Sequence, residues 1–229
     1  MIPRLRTFVV GLALLGLGTG CQLLQPKQKG DQGGGSSSAQ GGGAAQAMVD
    51  SMKSTETQYL LALPPGAKVG VWWETTAGGA KSKYAVVGEQ EGKLIVEQAM
   101  DVGGSTIINA WLVDPTIDPT GMPSEGEPMP ANVVKAWIGV PGKPGEERPV
   151  MKPPVYKKTG GGSGGQAEQG DERVELAGKT WDAHWTQTAH GKTWMAKGSA
   201  FALKTTDASG KTLFELTGWG EDAKPQLAW

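Results

Sequence analysis

From Lys68 onward the apolar residues of this chain recur at every second position, a period that makes strands and not helices. In 68–76, Val69, Val71 and Trp73 share one face while Trp72 and Glu74 share the other. Segments 83–88 and 93–100 read as a hairpin across Glu89-Gln90-Glu91-Gly92, continued by 106–113. Segments 179–189 and 192–196 flank His190-Gly191, a pair suited to a tight turn with positive φ, which sets Gln187 opposite Trp194. Another hairpin, 199–206 with 211–219, turns at Asp207-Ala208-Ser209-Gly210. One helix is expected before them, over 44–63. There Met48, Met52, Tyr59, Leu60 and Leu63 recur at spacings near three and four until Pro64-Pro65 stops the run. The expected fold class is mainly β: an antiparallel meander forming a curled sheet or half-barrel with one N-terminal helix.

Two stretches interrupt this pattern. Residues 114–154 hold ten prolines, which excludes a central strand over most of that length. The exception is 132–140, an apolar run around Trp137 and Ile138 that suits an edge strand. Residues 159–170 form a second, glycine-rich loop. The β-rich globular domain is expected to span 48–229, enough chain for one sizeable core.

The N-terminus has a different character. Arg4 and Arg6 precede an uncharged apolar run over 7–17. About eleven such residues suit a secretory signal and fall short of the roughly 20 that a membrane-spanning helix needs. The run ends in Leu17-Gly18-Thr19-Gly20-Cys21, which resembles the lipobox of bacterial lipoproteins, with the usual leucine displaced by one position. The resemblance implies that 1–20 is a cleaved signal peptide and that Cys21, the only cysteine, carries a diacylglycerol. Each buried lipid methylene contributes about 0.8 kcal/mol, so two acyl chains anchor stably where one does not. Residues 21–47 then read as a lipid-anchored tether, because Gly, Ser, Gln and Ala have almost nothing to bury. Gln22 stands where an aspartate would, in the enterobacterial-type sorting scheme, retain a lipoprotein in the inner membrane. The resemblance therefore implies an outer-membrane address, facing the periplasm or the surface.

Charge excludes one class of partner. Losing Arg4 and Arg6 with the signal leaves 20 basic against 23 acidic residues, interspersed along the chain. Nucleic-acid binding needs a basic patch, and none is present. The partners to expect are the membrane, through the lipid, and an envelope protein, the cell wall or an apolar ligand.

No catalytic set stands out. His184 and His190, the only histidines, do not converge with a third ligand, so no metal site is expected. Asp171, Glu172, Asp182 and Glu215 supply carboxylates, but no spacing sets two of them across a cleft as glycoside hydrolysis requires. The glycine runs lack the lysine and the strand–loop–helix context of a phosphate cradle. No cofactor and no enzyme activity are expected.

The tryptophans carry more information. All nine lie between Trp72 and Trp229. Trp72 and Trp73 are neighbours on one strand and must point to opposite faces, as must Ile107 and Ile108, and Val133 and Val134. One face packs the core. The other needs cover, either from the 44–63 helix and the proline-rich loop or from a ligand. In the second case Trp72, Trp111, Ile107 and Val113 are the expected lining of an apolar ligand-binding pocket.

Pro65-Gly66-Ala67-Lys68-Val69-Gly70-Val71-Trp72-Trp73-Glu74 with Tyr84-Ala85-Val86-Val87-Gly88 resembles the opening strands of uncharacterised bacterial envelope lipoproteins. Leu176-Ala177-Gly178-Lys179-Thr180-Trp181-Asp182 with Gly191-Lys192-Thr193-Trp194 resembles their C-terminal strand set. That group is similar to the half-barrels of periplasmic lipoprotein carriers. The resemblance implies a fold and leaves two functions open: a non-enzymatic binding or structural module, or a carrier-like half-barrel holding an acyl chain. For the anchor, mass spectrometry of the membrane fraction is expected to find a mature N-terminus at diacylated Cys21. A soluble protein with an unmodified N-terminus elsewhere overturns that expectation.

Overall fold

A computed structural model describes residues 41–102, 104–158 and 167–229. The expected signal peptide, Cys21, most of the tether and residues 159–166 of the glycine-rich loop lie outside the described residues. The described part is mainly β, as the period-two pattern implies. Strands β1 (Trp72–Ala77), β2 (Ala80–Gln90), β3 (Lys93–Val102), β4 (Ser105–Val113), β5 (Val133–Gly139) and β6 (Glu146–Arg148) form one antiparallel meander. A second meander consists of β7 (Glu168–Leu176), β8 (Lys179–Thr188), β9 (Gly191–Ala196), β10 (Ala202–Asp207) and β11 (Thr212–Gly220). The two join where β1 pairs with β11, which gives a single eleven-stranded sheet ordered β6-β5-β4-β3-β2-β1-β11-β10-β9-β8-β7.

The sheet curls, and its inner face forms the main core. Val71, Trp73, Val86, Val96, Trp111, Ala136, Trp181, Leu203 and Leu216 pack together there across nearly all strands. Closure shows most plainly between β8 and β11, where the Trp181 and Trp219 rings meet edge-to-face at 4.9 Å. Register follows the turns. Glu91 and Gly92 take positive φ of 52° and 74°, the two-residue turn whose twist matches a hairpin, and bring Gln90 opposite Lys93.

The helix differs from expectation. α1 spans Gly41–Met52, so it starts inside the expected tether and ends eleven residues before Leu63. Its Ala45 and Val49, with Met48 and Met52, cover Ile107, Ile138 and Val140 at one end of the inner face. Beyond Met52 the chain extends, and Thr57, Tyr59 and Leu61 are buried with period two. This strap crosses the inner face of β4 and β5. Its carbonyl at Tyr59 accepts from the amides of Asn132 and Val133, and Thr57 pairs with Pro149 and Met151. The Asn132 side chain donates to the Leu61 carbonyl and accepts from the Leu61 amide. The buried guanidinium of Arg148 donates to the Thr55 carbonyl and to Asn109 Oδ1 just past the helix end. Those tertiary partners outweigh the helical spacing read from Tyr59, Leu60 and Leu63.

The outer face is also covered, but not by the proline-rich loop. Residues 221–229 run back across β3, β4 and β5, and Leu227 packs on Ile108 and Ala110. Room for Leu227 comes from Gly139 and Gly145, where a Cβ would sit 2.8 and 3.1 Å from its methyls. Glu97, 1% exposed, holds this tail: its carboxylate accepts from the amides of Gln226 and Leu227 and from the Trp229 indole. The expected cover by the helix and the proline-rich loop is therefore corrected to the strap and helix inside and the tail outside.

Smaller corrections follow the same physics. β5 lies inside the sheet, because Glu146–Arg148 of the proline-rich stretch pairs beyond it as β6. Glu168–Gly170, assigned by sequence to the glycine-rich loop, open β7. Gly191 belongs to β9 and faces Thr188, so the turn is Ala189-His190 and Trp185, not Gln187, lies opposite Trp194. A side chain at Gly191 would collide with the Thr206 carbonyl of β10, which is why glycine stands in the strand. Removing the Glu97 carboxylate strands two amides and an indole N–H, at about 1–3 kcal/mol for each buried donor. Glu97→Ala is expected to lower unfolding free energy in urea by at least about 2 kcal/mol. A loss under about 0.5 kcal/mol, the scatter of ordinary surface changes, contradicts the role given to the tail.

Candidate functional site

The four residues expected to line an apolar pocket do not come together. Trp72 faces outward, its indole N–H donating to Asp222 Oδ1 at 2.7 Å and Lys83 Nζ lying 4.2 Å from its ring. Ile107, Trp111 and Val113 face inward but are filled over by the chain itself. Ile107 lies under α1. Trp111 lies under the strap, with its indole N–H donating to Thr57 Oγ1 at 3.1 Å. None of the four lines the three recesses described next.

The apolar recess lies beside the strap, a cavity of about 250 Å³. Gln58, Leu60 and Ala62 bound one side. Trp73 and Thr75 of β1, Tyr84 of β2, Phe201 and Phe214 of β11 form the opposite wall and floor. Trp73 is the centre of this aromatic group: it stacks on Tyr84 at 5.2 Å and meets Phe201 edge-to-face at 5.9 Å. Burial pushes the Tyr84 phenol above its ordinary pKa, and its oxygen accepts from Gln98 Nε2 at 3.0 Å. The helical spacing of Tyr59, Leu60 and Leu63 hides this group from a reading of the sequence alone. The usable signal was the alternation of Thr57, Tyr59 and Leu61 immediately before Pro64-Pro65.

The other two recesses are more polar. One of about 400 Å³ lies between Leu63–Ala67, Pro115–Pro119 and Gly198–Ala200. One of about 410 Å³ lies beside the Ala189-His190 turn and the Asp207–Gly210 turn. At its rim Lys192 Nζ stands 4.1 Å over the Trp185 ring and 4.4 Å over the Trp194 ring. Glu172 accepts from Lys192 at 3.2 Å and from the Trp194 indole. Trp185 in turn lies flat on Gly170, where any Cβ would sit 2.7 Å from the ring.

The remaining titratable groups are engaged in pairs on the surface. Asp171 accepts from Lys197 at 2.7 Å and contacts His184 Nδ1 at 3.0 Å, and those bonds, the lysine's first, hold its carboxyl below the usual range. Asp182 pairs with Arg173 and Glu215 with Lys204. None of the three recesses is lined by two carboxylates. Among the described residues no three His, Cys, Asp or Glu side chains group to hold a metal ion, and no helix is long and apolar enough to cross a membrane.

No family model matches the sequence, and no curated protein matches it either.

Glu172 provides a titration test of the Trp194 cluster. Bonds from the Trp194 indole and then from Lys192 lower its pKa, so it ionises more readily folded than unfolded. Its stabilising contribution is present above the unfolded carboxylate pKa and is lost as pH falls through the lower folded value. The Trp fluorescence change belonging to this cluster is expected below the ordinary glutamate range, and Glu172→Gln is expected to remove that acid transition. A transition that persists in Glu172→Gln assigns it to another group.

Proposed function

We propose that this chain is a membrane-anchored, non-enzymatic envelope lipoprotein whose domain works as a binding or structural module at the outer membrane. The anchor rests on the lipobox-like end of the signal, Cys21 and Gln22. The observation that favours a binding module is the self-filled sheet: strap and helix cover the inner face, and the tail covers the outer one. The recesses of about 400 and 410 Å³ have substantial polar lining, and the apolar one is smaller. Carrier sites for apolar ligands are concavities of about 300–1,000 Å³. The apolar recess beside the strap holds about 250 Å³, too little for two acyl chains.

A carrier-like half-barrel is the second reading, and one observation favours it: that recess is walled by Leu60, Trp73, Tyr84, Phe201 and Phe214. Asn132 and Arg148 hold the strap that bounds it, which fixes the recess at the size of a single side chain or a short chain end. Native mass spectrometry of the full chain extracted from envelopes separates the two. The expected spectrum carries the covalent lipid at Cys21 and no further apolar adduct. One non-covalent lipid per protein, lost on Phe214→Asp, overturns the module reading in favour of the carrier.

A further inference from the structure

The strap is an extended segment, not a regular strand, that is hydrogen-bonded along one side. Thr57, Tyr59 and Leu61 direct their backbone groups toward Asn132, Val133, Pro149 and Met151. In extended chain the N–H and C=O groups of alternate residues point to opposite edges. Those of Gln58, Leu60 and Ala62 therefore point the other way, and none of them joins a hydrogen bond among the described residues. Along that side lies the aromatic recess. The edge ends at Pro64-Pro65, which donate nothing.

The two edges of the main sheet are guarded differently. β6 is three residues long, and all three are charged. β7 carries Glu168, Asp171, Glu172, Arg173 and Glu175 within nine residues. Short length and charge are how proteins discourage edge pairing. The free side of the strap carries no charge at Gln58, Leu60 and Ala62, and every residue lining the recess is uncharged in a chain that is 20% charged.

We infer that the strap edge is a docking site for an extended peptide segment of a partner protein, which adds as a strand and places one bulky apolar side chain in the Trp73–Tyr84–Phe201–Phe214 recess. Main-chain bonds supply affinity in such strand addition, and a pocket for an alternate side chain supplies specificity. The uncharged lining fixes the charge of the occupant: a Lys, Asp or Glu at the inserted position would lose its hydration without a partner. The volume fixes its size, since about 250 Å³ accommodates one Leu, Phe or Trp side chain and not a lipid pair. This inference deepens the binding-module reading and rests on it only in naming the partner; it requires neither the lipid nor the envelope address.

Amide exchange and peptide titration of the full chain, followed by NMR, test it. In the free protein the amides of Leu60 and Ala62 are expected to exchange much faster than that of Leu61, which is bonded to Asn132. Capped heptapeptides of alternating Thr and Val with Leu or Phe at the centre are expected to slow that exchange and shift Phe214 and Tyr84. Versions with Asp or Lys at the centre are expected to bind at least about tenfold more weakly, the cost of desolvating a charge. Phe214→Asp is expected to abolish the preference, and N-methylation of the peptide at its pairing positions to abolish binding. The inference is overturned if Leu60 and Ala62 are already protected in the free protein. It is also overturned if neither apolar peptide perturbs the recess at about 5 mM, beyond the weakest useful affinities. A co-purified lipid in the recess would instead sink the module reading, so the two failures are distinguishable.

Discussion

The pairing of β1 with β11 is the constraint from which the rest of the architecture follows. It joins strands some 140 positions apart in sequence at the centre of the sheet, in register from Trp72↔Gly220 to Ala77↔Phe214. A chain whose first and last strands are central has flanking segments free to reach the faces of the sheet, and here both lie on the β3–β5 side of the seam. The segment before β1 crosses the inner face as the strap, and the segment after β11 crosses the outer face as the tail. A simple meander with terminal strands at its edges would have left at least one face bare. The seam is fitted to its aromatic neighbour: Gly218 and Gly220 lie under the Trp72 ring, and a Cβ at Gly218 would sit 2.9 Å from it.

Each crossing segment is fixed by a buried polar side chain on the sheet or beside it. Asn132 grips the strap through both backbone groups of Leu61, and Glu97 grips the tail through two amides and an indole. Apolar contact alone would allow either segment to slide by two residues and present an equivalent face, because strand side chains repeat with that period. A buried carboxylate or carboxamide does not tolerate such a slip, since it would leave donors and acceptors unmatched at about 1–3 kcal/mol each. The polar residues therefore set register where the hydrophobic pattern is degenerate. Among the described residues no buried side-chain polar atom is left without a partner, consistent with that role.

This division explains what could be read from the sequence. Strands such as 83–88 and 93–100 alternate or run apolar between turns, and local chemistry at Glu91-Gly92 sets their pairing. Strand identity and hairpin order were therefore legible. The β1–β11 seam was not, because nothing local marks which non-adjacent strands meet. The strap was misread because Met48, Met52, Tyr59 and Leu63 satisfy a helical spacing, while what holds 57–63 extended is Asn132, seventy residues away. The same limit hid the recess. Parity places Trp73 with Val71 on one face, but its partners Tyr84, Phe201 and Phe214 come from three other parts of the chain. Trp72 shows the same limit: parity sets it opposite Trp73 but does not say which face is outward, and its partner Asp222 belongs to a tail without strand periodicity.

Abundant tryptophan suggested a binding surface, and the geometry narrows where such a surface can lie. Most of the aromatic area is already answered by the protein's own cations. Lys83 covers Trp72, Lys179 lies 4.2 Å from both Trp181 and Trp219, and Lys192 covers Trp185 and Trp194. A ring whose face holds an ammonium offers that face to no ligand unless the lysine is displaced, which forfeits a contact worth about 0.5–1 kcal/mol at exposed sites. Trp111 and Trp137 are occupied by the strap and the tail. The aromatic group at Trp73, Tyr84, Phe201 and Phe214 is not capped in this way: no lysine stands over it, and the neighbouring backbone edge is unpaired. Recognition by this domain is therefore better sought beside the strap, where apolar surface and unpaired main chain coincide, than across its tryptophans at large.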